Sequence, residues 1–487
     1  MTLRVFRIEE PELFFGGNRK CLDPQVGLLS YGPHGGVGKS APKPISIRAG
    51  IIGTTRSIGA VRVWLERLKY RIAAKDSAKS EYKGIDFPGI SLNSPLKFEI
   101  SVDENCIFRI SKAFVRNLEK KPRKERILLT VKEYCRKFDD LAEAHPQPQI
   151  VLLPIDDIIL RLCKERFRKT DRIVFQSRVF GESDDADMEL FDFHNYLKAQ
   201  AAVRGFVTQM ITPKTLVFSE EKQSASTIGW NISVGIYYKA TGIPWKLAEI
   251  DEDTCYTGVS FYNEIGRKGK SVRAAIAQVY MRTGESQVIR GKPFEWIEEE
   301  RGRTVHLNAS QMTDIVKDSI NLFSRQRGKQ PRRLVMHKSA MFSEEEMEGC
   351  EEAAQNIEEM DIVHIREWTG FRAYHAKYDY PAVRGTVITD SKACEAMLYT
   401  SGYVPPLGTY PGPSSPRPLH INIQRMDTSI ETICHDILGL TKLDWNSSTF
   451  YTRMPVTIGV SRKVGAVMAE MVSAGMKEPP SSYRFYM

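Results

Sequence analysis

The stretch that decides the fold reads FHNYLKAQAAVRGFVTQMITPKTLVF at residues 193–218 and, after a polar interval, STIGWNISVGIYYKATGIPWKL at residues 226–247. In its first part, His194 and Lys198 are four residues apart, a spacing that places both side chains on one face of a helix. The run VTQMI at 207–211 is typical of a short strand. The chain is therefore expected to pass here from a helix into a strand.

A second helix is predicted at residues 228–240, so the stretch belongs to an alternating α/β layer. Four of its polar side chains can meet at one edge of that layer. They are His194, Lys198, Gln209 and Lys239. Two amines, an amide and an imidazole in one pocket suit a terminal phosphate, which accepts charge-assisted hydrogen bonds. For any one of them alone, the alternative is a polar group on the solvated face of an amphipathic helix.

The same stretch resembles the MID domain of Argonaute proteins. In that family, the pocket for the 5′ phosphate of the guide uses an aromatic or basic residue, a lysine four residues later, a glutamine, and a second lysine in a downstream helix. That helix ends in a glycine-proline-tryptophan turn, which the GIPW sequence at residues 242–245 matches. The resemblance implies that four residues bind the guide 5′ phosphate. They are His194, Lys198, Gln209 and Lys239.

The composition is that of an ordinary globular protein, and the length predicts two domains, or three at most. It has 487 residues, 42% hydrophobic and 26% charged, with a formal net charge of +9. A basic balance favours a polyanionic partner, although the excess is small. The 8 cysteines show neither a CxxC pair nor a Cys/His ligand spacing, which indicates reduced thiols. Without a long apolar run or a signal peptide, we expect a cytoplasmic protein that is not bound to a membrane.

Three regions are predicted along the chain. Residues 1–44 are rich in glycine and proline, which predicts an extended linker. In residues 45–247 strands alternate with helices, as in a mostly parallel Rossmann-like sheet, and the resemblance assigns this region to the MID domain. Residues 248–487 follow the order of a ribonuclease H-like fold and resemble the Argonaute PIWI domain. The predicted fold class is α/β, with a Rossmann-like MID domain followed by a ribonuclease H-like PIWI domain.

The resemblance also implies that the catalytic carboxylates of the PIWI domain are missing. A PIWI domain that cleaves its target uses carboxylates to hold two divalent metals across the scissile phosphate. In the first strand, Gly258 or Val259 stands where the family has an aspartate. Ser339 replaces the aspartate before a glutamate-rich helix, and Ser461 and Arg462 replace the last ligand. We therefore expect no catalytic residues and no cleavage by this chain.

Basic residues beside these positions are candidates for contacts with a nucleic-acid backbone, which is held through its phosphates without sequence reading. The candidates are Arg267, Lys270, Lys338, Arg462 and Lys463. The first two belong to a basic turn, residues 267–273, for which a solvated surface turn is the alternative.

The sequence SSYRFYM at residues 481–487 is apolar and aromatic, which favours burial, since disordered tails are usually polar. In the Argonaute family the chain terminus folds back into the MID pocket. The resemblance implies that the Met487 carboxylate and Gln209 hold Mg²⁺ on the guide phosphate. Oxygen ligands of this kind suit a hard cation.

Taken together, the resemblance implies a catalytically inactive short prokaryotic Argonaute. Such a protein binds a 5′-phosphorylated guide, expected to be RNA, and recognises complementary target, expected to be single-stranded DNA, without cleaving it. It works with an effector protein that carries an APAZ region and a TIR, sirtuin-like or nuclease domain. Target recognition activates this effector, often with depletion of NAD, as a defence against viruses or plasmids.

Two alternatives remain open from the sequence. A PIWI nuclease with displaced metal ligands would draw on carboxylates elsewhere in the second region. These are Glu264, Glu285, Asp390 and Asp427. A nucleotide-binding protein would use the turn GPHGGVGKS with Lys39, but five residues separate Gly32 from Gly38 where a P-loop has four, and a strand follows instead of a helix.

Overall fold

The computed structural model describes most of the chain. Its described residues are 3–35, 44–74, 84–163, 193–218, 224–240, 242–249, 251–263, 272–280, 286–295, 304–367, 369–374, 380–390, 394–410 and 415–487. Among them, no helix is long and apolar enough to cross a membrane.

Strands in the described part of the chain number seventeen. They are β1 (Leu3–Arg7), β2 (Leu13–Phe14), β3 (Lys20–Cys21), β4 (Ile45–Thr54), β5 (Phe98–Ile110), β6 (Ile150–Pro154), β7 (Thr208–Ile211), β8 (Lys246–Leu247), β9 (Thr254–Asn263), β10 (Val272–Tyr280), β11 (Ser286–Arg290), β12 (Phe294–Glu295), β13 (Arg333–Lys338), β14 (Glu359–Arg366), β15 (Thr386–Asp390), β16 (Glu395–Leu398) and β17 (Leu419–Met426).

The α-helices of the same residues are numbered separately. They are α1 (Pro24–Tyr31), α2 (Thr55–Leu68), α3 (Lys112–Leu118), α4 (Arg123–Ala142), α5 (Asp157–Cys163), α6 (Phe193–Val203), α7 (Pro213–Leu216), α8 (Ala225–Lys239), α9 (Ala309–Arg327), α10 (Glu344–Ala353), α11 (Ile430–Leu440), α12 (Val456–Gly459) and α13 (Ser461–Ser473).

The first half of the chain builds a parallel sheet of four strands in the order β5-β4-β6-β7. Neighbouring side chains of β4 point to opposite faces, so Ile51 joins the apolar cluster with α2 and α8, and Ile52 joins the cluster with α4 and α6. Parallel sheets need crossover helices and are buried on both faces, which explains the apolar strands. The Rossmann-like prediction agrees with this sheet.

The second half is organised around a larger sheet in the order β1-β15-β16-β17-β14-β13-β9-β10-β11, with β12 on β10. Its centre is parallel, because β13 pairs with both β9 and β14 in that sense, and β9, β10 and β11 form antiparallel hairpins. Helices α9 and α10 pack on one face, and α12 and α13 pack on the other. The predicted ribonuclease H-like fold is confirmed.

The N-terminal residues 3–35 are more ordered than the predicted extended linker. Strand β1 pairs with β15 at the edge of the large sheet, and β2 pairs with β3 and β8. The Glu10 carboxylate is buried and lies 2.8 Å from Arg384 Nε and 3.0 Å from Lys442 Nζ. The linker expectation is corrected here, since these long-range pairings and ion pairs hold the segment against the second half.

One apolar cluster joins the two halves. It contains Ile47 and Trp230 from the first half together with Tyr256, Val464 and Tyr483 from the second. The end of the chain closes this cluster, because Met487 is buried and a Cβ atom built on Gly235 would lie 3.6 Å from its methyl carbon. The predicted burial of the apolar chain end is confirmed.

Candidate nucleic-acid interface

Lys239 and Gln209 form the centre of the predicted pocket. Lys239 lies in the last turn of α8, and Gln209 lies on β7, the edge strand of the small sheet. The Lys239 ammonium donates to Gln209 Oε1 at 2.8 Å and to the Thr208 carbonyl oxygen at 3.1 Å. Neither acceptor is charged, although the amine is fully buried.

Lys198 reaches the same pocket from α6. Its ammonium donates to the main-chain oxygen of Met487 at 2.7 Å, and the main-chain oxygen of Tyr486 lies 3.5 Å away. Burial, with a further contribution from the nearby charge of Lys198, holds the pKa of Lys239 well below its usual range. The two lysines are therefore close enough to repel each other.

His194 lies on the first turn of α6, one turn before Lys198 and on the same helix face. Its ring is exposed, and Nδ1 is 3.2 Å from the side-chain oxygen of Asn195. The structure thus brings together Lys198, Gln209 and Lys239, and it leaves His194 at the exposed start of α6.

The electrostatics of this pocket favour an anionic ligand. Two amines share a buried site, and the acceptors of Lys239 are an amide oxygen and a main-chain carbonyl. A buried charge is costly unless an opposite charge or hydrogen bonds compensate it. A phosphate dianion would supply both the opposite charge and several acceptor oxygens.

The oxygens of Gln209 and Met487 are of the type that Mg²⁺ takes as ligands. Each accepts a lysine hydrogen bond and keeps further lone-pair capacity. Among the described residues, no group of three or more His, Cys, Asp and Glu side chains could hold a metal. The two oxygens therefore fit Mg²⁺ only if phosphate oxygens or water provide the other ligands.

The two first-strand positions expected to replace an aspartate face opposite sides of β9. Val259 packs into the apolar cluster beneath α9. Gly258 faces α12 so closely that an added Cβ would lie 1.9 Å from the carbonyl oxygen of Thr457. Neither position has room for a carboxylate at the sheet edge.

Ser260 lies two residues after Gly258 on the same face of β9. Because Lys338 pairs with Val259 in parallel register, Ser260 follows the last β9 residue that pairs with β13, and Ser339 follows the end of β13. The Ser260 hydroxyl is buried and has no hydrogen-bond partner among the described residues. The replacement of a family aspartate by Gly258 or Val259 stays a prediction, and the register adds Ser260 as a further residue near the end of β13.

Comparisons of sequence and structure show the family to which this chain belongs. The family described as "Piwi domain" matches residues 188–473, more than half of the 487 residues. The chain belongs to the Piwi family. The matched residues include both pocket lysines and the whole centre of the large sheet. No curated protein sequence matches the chain.

Solved Argonaute and Piwi structures share this fold. The structure of Clostridium butyricum Argonaute bound to a guide DNA and a 19-mer target DNA superposes with a TM-score of 0.64 at 16% identity, over 97% of this chain and 53% of that one. Drosophila Piwi gives 0.59 at 14% identity, over 99% and 56%. Aquifex aeolicus Argonaute gives 0.55 at 13% identity, over 100% and 57%. This chain thus spans about half the length of each.

The other two positions at which the sequence predicts a lost metal ligand carry hydroxyls in this Piwi protein. Ser339 is exposed after β13, and Ser461 is buried, where its hydroxyl donates to the Ile458 carbonyl oxygen at 2.7 Å. Nothing is described for the side chain of Arg462. Both described positions, Ser339 and Ser461, therefore carry hydroxyls, and their correspondence to carboxylates of a cleaving Piwi domain stays a prediction.

Lys338 is predicted to contact a nucleic-acid backbone, but the structure does not expose its side chain to solvent. It is buried, and its ammonium lies 2.5 Å from Glu346 Oε1 in α10. Burial would raise the pKa of Glu346, but Lys338 and the hydrogen bonds around the carboxylate lower it below the ordinary value. Because this charge is neutralised within the protein, the assignment of Lys338 to backbone phosphates is wrong. Sequence inspection did not identify Glu346 as its partner.

The other predicted cations differ in what the structure describes. Lys463 is exposed on α13 and stays a candidate for a backbone contact. Several predicted residues lie outside the described residues. They are Arg267, Lys270, Glu264, Glu285 and Lys39.

The described carboxylates of the nuclease alternative lie away from the carboxyl end of β13. Asp427 accepts hydrogen bonds from Arg425 and from the Met360 amide, at the amino end of β14, opposite the edge with Ser260. Asp390 ends β15 and pairs with Leu3 of the outermost strand. Neither is positioned to replace a ligand at that edge.

Proposed function

We propose that this Piwi protein binds the 5′ phosphate of a guide strand between Lys198 and Lys239, with Gln209 and the exposed His194 completing the pocket. The observation that carries the proposal is a fully buried lysine, Lys239, whose acceptors are neutral and whose neighbour is another lysine. A terminal phosphate provides the missing negative charge. The solved Clostridium butyricum relative with guide and target DNA gives the same kind of ligand for this fold.

In this proposal, each residue of the pocket has a simple role. Lys239 and Lys198 donate charge-assisted hydrogen bonds to phosphate oxygens, and Gln209 orients the Lys239 ammonium. The Met487 oxygen fixes Lys198 in place. Mg²⁺, held by Gln209 and Met487, would add further positive charge beside the phosphate. The guide bases then read the target by pairing, while the protein holds the backbone.

We further propose that the chain recognises its target without cutting it. Two-metal cleavage needs carboxylates that hold both ions. The described edge offers the hydroxyls of Ser260 and Ser339, and Ser461 is used in a hydrogen bond to the main chain. A recognition protein of this kind needs a separate effector, for which an APAZ protein with a TIR, sirtuin-like or nuclease domain is our proposal. The guide is proposed to be RNA, the target single-stranded DNA, and the role defence through effector activation and NAD depletion.

The pocket is tested with guides that differ only at the 5′ end. Replacing Lys239 with Met, which keeps the apolar volume, should weaken a 5′-phosphorylated RNA by about tenfold to a hundredfold, since a charge-assisted contact contributes roughly 1.5 to 3 kcal/mol. A 5′-hydroxyl RNA of the same sequence should lose much less. Fluorescence anisotropy measures both affinities. The exposed Lys132→Ala variant on α4, a residue with no assigned role in binding, is the control for a general loss of charge.

An equal loss for both guides would mean that Lys239 supports the fold or the backbone contact only. Circular dichroism and the thermal midpoint of the variant separate these two outcomes. Lys198→Met should behave like Lys239→Met, because both amines are assigned to the same phosphate.

The absence of cleavage is tested on the guide-loaded chain. A complementary, end-labelled single-stranded DNA should stay intact with Mg²⁺ or Mn²⁺, while the chain copurified with its genomic neighbour should change NAD levels or degrade nucleic acid when target is added. Target cleavage by the chain alone, above the Lys239→Met control, would contradict the recognition-only role.

A further inference from the structure

A second basic site lies at the carboxyl end of β14. Three arginines line a cavity of about 330 Å³ there, with Thr369 and Gly370 completing its wall. They are Arg366, Arg372 and Arg417. Arg366 ends β14 and is exposed, and Arg417 lies just before β17, the antiparallel neighbour of β14.

The cavity is at the same edge of the large sheet as Ser260 and Ser339. Strand β14 runs parallel to β13, and His364 pairs with Lys338. Arg366 ends β14, two residues beyond His364, and Ser339 directly follows β13. Both residues therefore lie at the same edge of the sheet. The arginines therefore face the side of the sheet on which Ser260 and Ser339 lie.

Two exposed aromatic residues stand beside the arginines. Phe371 is 38% exposed and Tyr374 is 71% exposed, so both rings are open to a stacking partner. The segment is held in place, because the Ala373 amide donates to the Tyr399 hydroxyl at 2.6 Å, and Tyr374 forms a β-bridge with Pro381. The rings are thus presented on a fixed loop.

The local charge is strongly positive. Arg453 joins the three arginines, and its guanidinium lies 3.3 Å from the Glu367 carboxylate. Burial lowers the pKa of Arg453, Glu367 opposes this, and the charges of Arg417 and Arg372 lower it further. The charges of Arg372 and Arg417 thus repel that of Arg453, and an anion bound beside them would relieve this repulsion.

We propose that the cluster Arg366, Arg372 and Arg417, together with Phe371 and Tyr374, binds unpaired nucleic acid, with phosphates on the arginines and bases stacked on the rings. Cations that follow the backbone, combined with exposed rings, are the features that single-strand binders share. The site is separate from the guide phosphate pocket. That its natural occupant is the unpaired part of the target strand rests on the proposed function, whereas the binding of single strands does not.

The test measures the affinity of the full chain, freed of nucleic acid, for a labelled 5′-hydroxyl oligodeoxythymidine at several salt concentrations. This probe carries no terminal phosphate for the Lys239 pocket. Each phosphate contact to a single strand contributes about 0.7 to the slope of log K against log salt. The Arg366→Ala and Arg417→Ala double variant should therefore lower that slope by about 1.4. Arg325→Ala, an exposed arginine on α9 across the sheet, should leave it unchanged.

The aromatic residues are tested with the same probe and with an abasic oligonucleotide of equal length. Tyr374→Ala should weaken the normal strand by about fivefold or more, because stacking of one base on a ring is worth that much. It should not affect the abasic strand, and Tyr374→Trp should restore the affinity. Tyr70→Ala, which removes another exposed ring, is the matched control.

Four outcomes would overturn the proposal. An unchanged salt slope would show that the arginines do not contact phosphates, and an equal loss on the abasic strand would limit Tyr374 to a structural role. Competition by inorganic phosphate or a mononucleotide as strong as by the oligonucleotide would indicate a small-anion site. Equal binding of a blunt duplex would exclude a preference for unpaired bases. If these variants behave as expected but the chain does not distinguish 5′-phosphate from 5′-hydroxyl guides, only the proposed function fails.

Discussion

The pocket around Lys239 and the sheet edge beside Ser260 and Ser339, called the serine edge, each have a buried lysine nearby. The charge of that lysine is compensated differently in the two places. In the pocket, the acceptors of Lys239 among the described residues are neutral, and a second lysine lies nearby. Near the serine edge, Lys338 is paired with Glu346 inside the protein. A buried cation whose described acceptors are neutral suits an anionic ligand, whereas one held by its own carboxylate indicates a structural ion pair.

This comparison explains why sequence position alone misassigned Lys338. Both lysines follow apolar stretches, and both were candidates for phosphate contacts. Their environments differ because α10 begins with a capping box, in which Ser343 and Glu346 exchange hydrogen bonds, and this places the Glu346 carboxylate above β13. The same chemical group therefore has a structural role in one half and a proposed binding role in the other.

The largest effect is expected from breaking the structural ion pair. Replacing Glu346 with Ala leaves the Lys338 ammonium buried without its counter-ion, and should lower the free energy of unfolding by about 3 to 5 kcal/mol. Urea denaturation measures this loss. The Lys338→Met and Glu346→Leu double variant should recover most of it, since an apolar pair of similar volume replaces the charges.

The same variant sharpens the contrast with the pocket. Where the Glu346→Ala protein is still folded, it should keep its preference for 5′-phosphorylated guides. A selective loss of that preference would contradict the division between a structural and a ligand-binding lysine.

The next effect concerns Gly258 and Ser260 in β9. Gly258→Ala should destabilise the protein by about 3 kcal/mol, because the added methyl group meets the Thr457 carbonyl and overpacks the helix contact. Ser260→Ala should be within about 1 kcal/mol of the unchanged protein or slightly more stable, since it removes a buried hydroxyl without a described partner. Thermal and urea denaturation give both values. A tolerated Gly258→Ala would show that α12 can move away from the strand.

Much of the fold follows from local pattern. The alternation in β4 and the four-residue spacing of His194 and Lys198 are visible in the sequence, and the sheet and helix that they predict are present. These features depend on residues that are near one another along the chain. The convergence of Lys198 with Lys239 was also predictable, because the order helix, strand, helix returns the chain to the same edge.

Other features depend on contacts between distant segments and could not be predicted. The pairing of β1 with β15 joins Leu3 to Asp390, which no local pattern encodes. The position of Ser260 beside the end of β13 depends on the register between the two strands, and the crowding at Gly258 depends on the approach of α12. The Glu346 partner of Lys338 likewise comes from a separate helix.

The smallest expected effect is the uptake of less than one proton when the guide binds, and it tests the phosphate pocket directly. Burial and Lys198 lower the pKa of Lys239 in the free protein, and a phosphate dianion beside the amine should raise it again. Between these two pKa values the complex binds more protons than the free protein, so a 5′-phosphorylated guide should take up protons and its affinity should fall as pH rises. The uptake is measured at several pH values from about 8 upwards, where the phosphate itself, with a second pKa of roughly 6, is already a dianion.

Calorimetry in buffers of different ionisation enthalpy measures this uptake. The 5′-hydroxyl guide and the Lys239→Met variant should both show none, because one lacks the dianion and the other lacks the titrating amine. The linkage acts with the opposite sign on folding: with its depressed pKa, Lys239 lowers stability where the unfolded lysine is protonated, so its cost decreases as pH rises towards 10.5. Proton uptake that persists in Lys239→Met would assign the titrating group elsewhere and separate the guide site from this buried lysine.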